Sequence, residues 1–241
     1  MRIAIAINAR TTCVWYAFFF VSTPSQLERI YSHRFDADVK YRDPVWQVLV
    51  REFFQRMIPS TATVLDLGCG YGFFINHVEC GVKYAMDLNA NARGRLRPDV
   101  RFLEMDCSTP WPLEPGSLDV VFSSNFLEHL PDKTRVEQTL YEAYRCLRPG
   151  GMIIAMGPNM RYVEGAYWDF WDHHVPITDR SLAELLILIG FHVEQVVPQF
   201  LPYTAVGKRQ QPMFVVRSYL KLPWVWRFFG QQFLVVARKR A

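Results

Sequence analysis

The sequence predicts an α/β domain on a mostly parallel, seven-stranded sheet with helices on both faces. From Thr63 onward, short apolar runs alternate with amphipathic stretches, the rhythm of strand–helix–strand units that bury a parallel sheet under helices. The first apolar run ends in glycines at alternate positions, Gly68, Gly70 and Gly72, where a strand has to turn sharply. The chain has 241 residues, half of them hydrophobic and 15% aromatic, which suits one decorated domain better than two.

Residues 1–22 fall outside that domain. Arg2 and Arg10 precede the apolar run Cys13 to Val21, like the charged and apolar parts of a signal peptide, but no small-x-small cleavage site is evident. The segment reads as an uncleaved anchor or an over-extended start. Residues 23–241 form the single domain. It begins with capping helices over 24–58, where Val45, Leu49, Phe53, Phe54 and Met57 recur at helical spacing before Pro59. Strands are expected at Val64–Leu67, Tyr84–Met86, Val100–Leu103, Leu118–Ser123, Met152–Met156, His192–Val197 and Phe233–Ala237. Helical stretches fall between them at Phe73–Val78, Ala90–Leu96, Lys133–Leu147 and Leu182–Ile189. Arg148 to Gly151 supply a stop, Ser181 with Glu184 reads as a capping box, and Gly190 closes the last helix. Residues 198–230 are an insertion before the last strand, too long for a hairpin connection, and read as a lid over a second substrate.

The chemistry concentrates where the first strand meets its turn, in Val64-Leu65-Asp66-Leu67-Gly68-Cys69-Gly70-Tyr71-Gly72. Alternate glycines leave room for a ligand against bare amides at a helix N-terminus. Asp87 ends the second strand, where a carboxylate can accept both hydroxyls of a ribose. Gly72 serves either the ligand or helix packing, Glu128 either the site or a helix cap, and Cys69 reads as a small loop filler rather than a nucleophile. The five cysteines are scattered without a CxxC pair, so neither a metal site nor a disulfide framework is expected, and a reducing, cytoplasmic compartment fits.

Residues 61–157 resemble the class I S-adenosylmethionine-dependent methyltransferases, whose fold is Rossmann-like. The glycine loop is similar to that family's first motif, Asp87 to its ribose acid, and Met105-Asp106-Cys107 to its adenine-contacting turn. Asn125 to His129 resembles the segment after its fourth strand, and Leu147 to Gly151 the turn into its fifth. The resemblance implies S-adenosylmethionine as cofactor. Asp66, Gly68, Cys69, Gly70 and Gly72 would lie against its methionine part, Asp87 and Leu88 against the ribose, and Asp106 and Cys107 against the adenine, with Asn125 beside them. Two other classes compete. An NAD(P)-dependent oxidoreductase shares the strand–loop–helix plan, but Phe73 after Gly72 breaks the GxGxxG spacing. A non-catalytic cofactor-binding or interaction protein is the third.

The motifs speak for cofactor and fold and leave the acceptor open. The place after the fourth strand reads Ser123-Ser124-Asn125-Phe126 and lacks the Pro-Pro-aromatic pattern of amino-methylating DNA enzymes; no Pro-Cys dipeptide and no CxxxCxxC occur. Nucleic acid is therefore disfavoured, and a small molecule, a glycan or a lipid-linked intermediate methylated at a hydroxyl is expected. A general base then helps, and the candidates are His174, His173 and His129. Net charge is +4, unevenly spread: residues 201–241 hold eight of the 27 basic residues and no acid. In 198–230 eight aromatic residues interleave with basic ones, which reads either as core closure under a solvated face or as peripheral contact with the inner face of a membrane. The oligomeric state is left open.

Overall fold

A computed structural model describes Arg29, residues 39–203 and residues 210–240. The segment 1–22 lies outside the described residues. The seven strands are β1 (Thr63–Leu67), β2 (Val82–Asp87), β3 (Val100–Glu104), β4 (Leu118–Ser124), β5 (Leu147–Pro158), β6 (Phe191–Val197) and β7 (Gln232–Lys239). They form one sheet in the order β3-β2-β1-β4-β5-β7-β6. β1 to β5 pair in parallel, and β7 runs antiparallel between β5 and β6. β1 and β4 sit side by side with their crossovers leading away in opposite directions, so a crevice opens at their C-terminal ends. β1 is buried almost throughout, as expected for a strand covered on both faces.

One face is covered by α2 (Lys133–Cys146) and α4 (Asp179–Ile189), which pack Val136, Leu140, Leu182 and Leu186 against Leu65, Val121 and Ile153. Asp132 caps α2 by accepting the Arg135 amide at 2.9 Å. α4 starts earlier than expected. Its capping box joins Thr178 and Ser181, not Ser181 and Glu184, so Asp179 rather than Leu182 opens the helix. Gly190 ends it at φ +117.

The other face is covered by α1 (Val39–Glu52) and by the insertion. The insertion folds into α5 (Met213–Lys221) and α6 (Pro223–Phe229). Phe200, Leu220 and Trp226 from it join Leu49, Phe54, Phe122 and Ile154 in one core cluster. The expectation of a lid is therefore corrected for these two helices: Leu220 and Trp226 are drawn onto the sheet face beside α1.

The stretch expected as a helix at Phe73–Val78 is a single hydrogen-bonded turn, with Asn76 N donating to Gly72 O at 2.9 Å and Val78 N to Phe74 O at 3.1 Å. Phe74, Ile75 and Val78 are buried, and the Asn76 amide bridges to Arg95 and Arg97, so tertiary contacts hold what is too short to propagate as a helix. Residues 90–95 are likewise a 3-10 turn, capped by Asn89. Arg148 to Gly151 do not interrupt the chain as expected; Leu147 already pairs with Leu118, and β5 runs through them. A further short helix, α3 (Met160–Val163), leads into the loop that follows β5.

Candidate active site at the C-terminal edge of the sheet

The turn after β1 takes the conformation its glycines allow: φ is +71 at Gly68, +53 at Gly70 and +72 at Gly72. The space the missing side chains leave is already used by the protein at two of the three. A Cβ on Gly68 would come within 2.1 Å of the Phe126 ring, and one on Gly72 within 2.5 Å of Leu96. Gly72 therefore serves packing. The loop is tied to β2 by Asp87, whose two carboxylate oxygens accept the amides of Gly70 at 2.8 Å and Asn89 at 2.9 Å. Burial raises the Asp87 carboxyl above its ordinary value, against those amide bonds, the Leu88 amide and the charge of His129.

Asp66 ends its strand in deeper isolation. It is 3% exposed, and its Oδ2 has no hydrogen-bond partner. Burial pushes its carboxyl up to about 8, opposed by the Ile75 amide and helped by the nearby charge of Asp87. A buried acid with an orphaned oxygen at a strand's end is a receptor for a cation or a hydrogen-bond donor. The ammonium group of the methionine part of S-adenosylmethionine has that chemistry, so the residues present fit the cofactor.

Cys69 and Cys107 are buried, and burial lifts both thiols, Cys107 to about 12. The Cys107 thiol faces Thr139 Oγ1 at 3.4 Å, and its carbonyl accepts the Trp111 indole N–H. Asp106 accepts the Ser108 amide and hydroxyl and lies 3.5 Å from Arg135 Nη1. Arg135 is an addition that sequence reasoning missed, since nothing in the pattern of α2 marks it. Asn125 holds a left-handed backbone at φ +49, and its amide donates to Met156 O.

The histidines divide. His129 follows β4 in a short turn, and its Nδ1 lies 3.2 Å from Asp172 Oδ2 and 3.0 Å from the Asp172 carbonyl. Two acceptors around Nδ1 place the proton there and leave the Nε2 lone pair. The side chain is 27% exposed, enough to be reached. Burial would lower the pKa of His129, but Asp172 and the charge of buried Glu128 outweigh it, and the net shift is upward. His173 is buried against it, with ring centroids 4.7 Å apart, and also meets Tyr167 and Phe170. Neighbouring His174 is exposed; its backbone N–H donates to Glu128 O, and Val175 N–H does the same. The chain turns here, with the His173 amide donating to Phe170 O, and Asp172 and His173 are both buried while His174 faces out. The structure thus brings His129 and His173 together and leaves the His174 ring on the surface. Glu128 is a buried acid beside them, not a helix cap, and its carboxyl is raised by burial. Glu128, His129 and His173 each offer a donor atom within 4.8 Å of the others. Tyr167, fully buried with its hydroxyl donating to Val175 O, anchors the loop and was also missed.

Residues 65–155 match the family model described as a methyltransferase domain. The chain is 31% identical over 158 residues, 61% of its length, to a protein of Mycolicibacterium smegmatis named a probable S-adenosylmethionine-dependent methyltransferase. These matches support a class I S-adenosylmethionine-dependent methyltransferase family, whose cofactor is S-adenosylmethionine, over the oxidoreductase alternative. A 2-methyl-6-phytyl-1,4-hydroquinone methyltransferase of Synechocystis is 29% identical over 133 residues, 49% of this chain. The chain spans 59% of the length of the first of these proteins and 39% of the second. Among solved structures, a SAM-dependent methyltransferase from Archaeoglobus fulgidus superposes with a TM-score of 0.61 at 20% identity, covering 84% of this chain and 98% of that one. At that identity the likeness speaks for the methyltransferase fold alone.

Proposed function

We propose that this methyltransferase carries a methyl group from S-adenosylmethionine to a hydroxyl of a small-molecule, glycan or lipid-linked acceptor, with His129 as the base. The cofactor supplies an electrophilic methyl on a sulfonium. Asp66 and the loop Gly68-Cys69-Gly70 hold its methionine part, Asp87 and Leu88 its ribose, and Asp106, Cys107 and Asn125 border its adenine side. Transfer in line needs alignment and the exclusion of water before it needs strong catalysis. The observation that carries the reading is the His129–Asp172 pair at the end of β4, beside the strand that bears Asp66. Asp172 fixes the tautomer, His129 Nε2 accepts the acceptor's hydroxyl proton, and the neighbouring Asp172 and Glu128 carboxylates stabilise the imidazolium that results. His173 lies against the same ring and shapes the acceptor pocket; His174, with its side chain on the surface, drops to the last of the three candidates.

Calorimetry with S-adenosylmethionine and a methyl-transfer assay against a panel of hydroxylated acceptors tests this. Cofactor binding with transfer that His129→Ala abolishes is the expected result. Binding without transfer to any hydroxyl acceptor would favour a cofactor-binding protein, and transfer unaffected by His129→Ala would remove the base.

A further inference from the structure

An exposed aromatic surface lies on the outer side of α5 and α6. Their inner residues, Leu220 and Trp226, are buried over Phe200. Their outer side presents Phe214, Trp224, Phe228 and Phe229, each between 61% and 69% exposed, with Leu222 at the junction. A helix that has buried one apolar stripe ordinarily turns a polar face to water, so a second apolar face marks an interaction surface. Basic residues stand among the rings. Arg217 is held by Glu52 at 2.9 Å, Lys221 is exposed, and the Arg227 guanidinium lies over the Phe228 ring at 4.7 Å.

We infer that this face docks peripherally on an anionic bilayer. Aromatic rings settle at the headgroup boundary, while Lys and Arg extend their charged ends to acidic headgroups. A second copy of the chain fits less well. A two-fold contact would set Lys221 and Arg227 near their own copies, and Glu52, the acid beside this face, is already held by Arg217. The position also suits the chemistry. α6 ends at Gly230, and Gln199 Nε2 donates to Gly230 O. Gln231 O in turn accepts the Asn159 amide at the end of β5, the edge that carries the active site. On that same edge the loop bearing His173 exposes Trp168 and Trp171, the latter 91%. An acceptor's lipid tail can therefore stay in the bilayer while its polar head reaches His129. That last step rests on the function proposed above; the docking does not.

Cosedimentation of the full chain with vesicles tests it, using phosphatidylglycerol with phosphatidylcholine against phosphatidylcholine alone. Binding to the anionic vesicles, released by high salt and weakened at least tenfold by Lys221→Glu with Arg227→Glu, is expected. The same loss is expected for Trp224→Ser with Phe228→Ser, with cofactor affinity unchanged in both variants. Quenching by brominated anionic lipid that Trp224→Phe diminishes gives an independent readout should a double variant misfold. Undiminished binding by well-folded double variants would place any membrane contact elsewhere in the chain and overturn the inference. A dimer broken by Trp224→Ser without vesicle binding, or preference for single-stranded DNA over vesicles, would overturn it in favour of those partners. Cofactor binding and transfer to a soluble acceptor, assayed apart, show whether the enzymatic reading stands.

Discussion

The two edges of the sheet treat their acids in opposite ways. At the N-terminal edge three acids are held by cations. Lys83 holds Asp99 at 2.9 Å and Arg238 holds Glu194 at 2.7 Å, and these bonds keep both carboxyls below their ordinary range. Asp119 is partly buried, which alone would raise it, but the Thr63 amide and Arg148 bring it down. At the C-terminal edge Asp66, Asp87 and Glu128 are buried and raised by that burial. A fold gains from the first arrangement and loses from the second, so the C-terminal edge stands out as the candidate functional site.

Removing the base should break the comparison most visibly. His129→Ala lowers turnover about 10²- to 10⁴-fold with cofactor affinity retained. Asp172→Asn lowers it less and moves the acidic limb of the pH–rate profile to lower pH, because Asp172 helps hold His129 protonated. A pH–rate profile that keeps its wild-type limb in Asp172→Asn would show that the pair only shapes the loop.

The two loop positions come next. Asp87→Ala should weaken S-adenosylmethionine binding by about 1–3 kcal/mol in calorimetry, since Gly70 and the ribose lose a charged acceptor together. Gly68→Ala puts a side chain at a left-handed position, at roughly 1–2 kcal/mol, and into the Phe126 ring, so urea unfolding should show at least that loss.

Asp66→Asn sharpens the comparison through pH. An acid whose folded pKa exceeds its unfolded value near 4 contributes stability fully below that value and loses it as pH rises. With Asp66 at about 8, the variant should match the wild type at pH 4 and gain melting temperature steadily up to pH 8, while binding cofactor more weakly. A flat difference between pH 4 and 8 would show Asp66 to be ionised at neutral pH. The smallest effect belongs to the other edge. Arg148→Ala removes the Asp119 partner, but the pair is partly exposed, so stability should fall by less than about 1 kcal/mol and cofactor binding should hold.

The cofactor half was legible because its signals are local. Runs such as Val64–Leu67 and Leu118–Ser123 announce strands by composition, and glycines, followed by an acid at the next strand's end, announce a turn that carries a ligand. Reading stopped where distant contacts decide. Phe73–Val78 has a helical pattern, yet burial of Phe74 and Ile75 and the Asn76 bridges to Arg95 and Arg97 keep it a turn. The insertion reads as a lid or a solvated face until Phe200, Leu220 and Trp226 are seen closing the core beneath α5 and α6.

By itself the sequence determined the sheet's strands and the resemblance to a methyltransferase family with its cofactor, because periodicity, glycine placement and residue chemistry act over a few residues. Only the tertiary structure shows which histidines come together. His129 and Asp172 lie 43 residues apart and meet because the loop after β5 folds back over the end of β4. His173 is buried and His174 exposed because the loop turns at Phe170–His173 and the Glu128 carbonyl holds the amides of His174 and Val175.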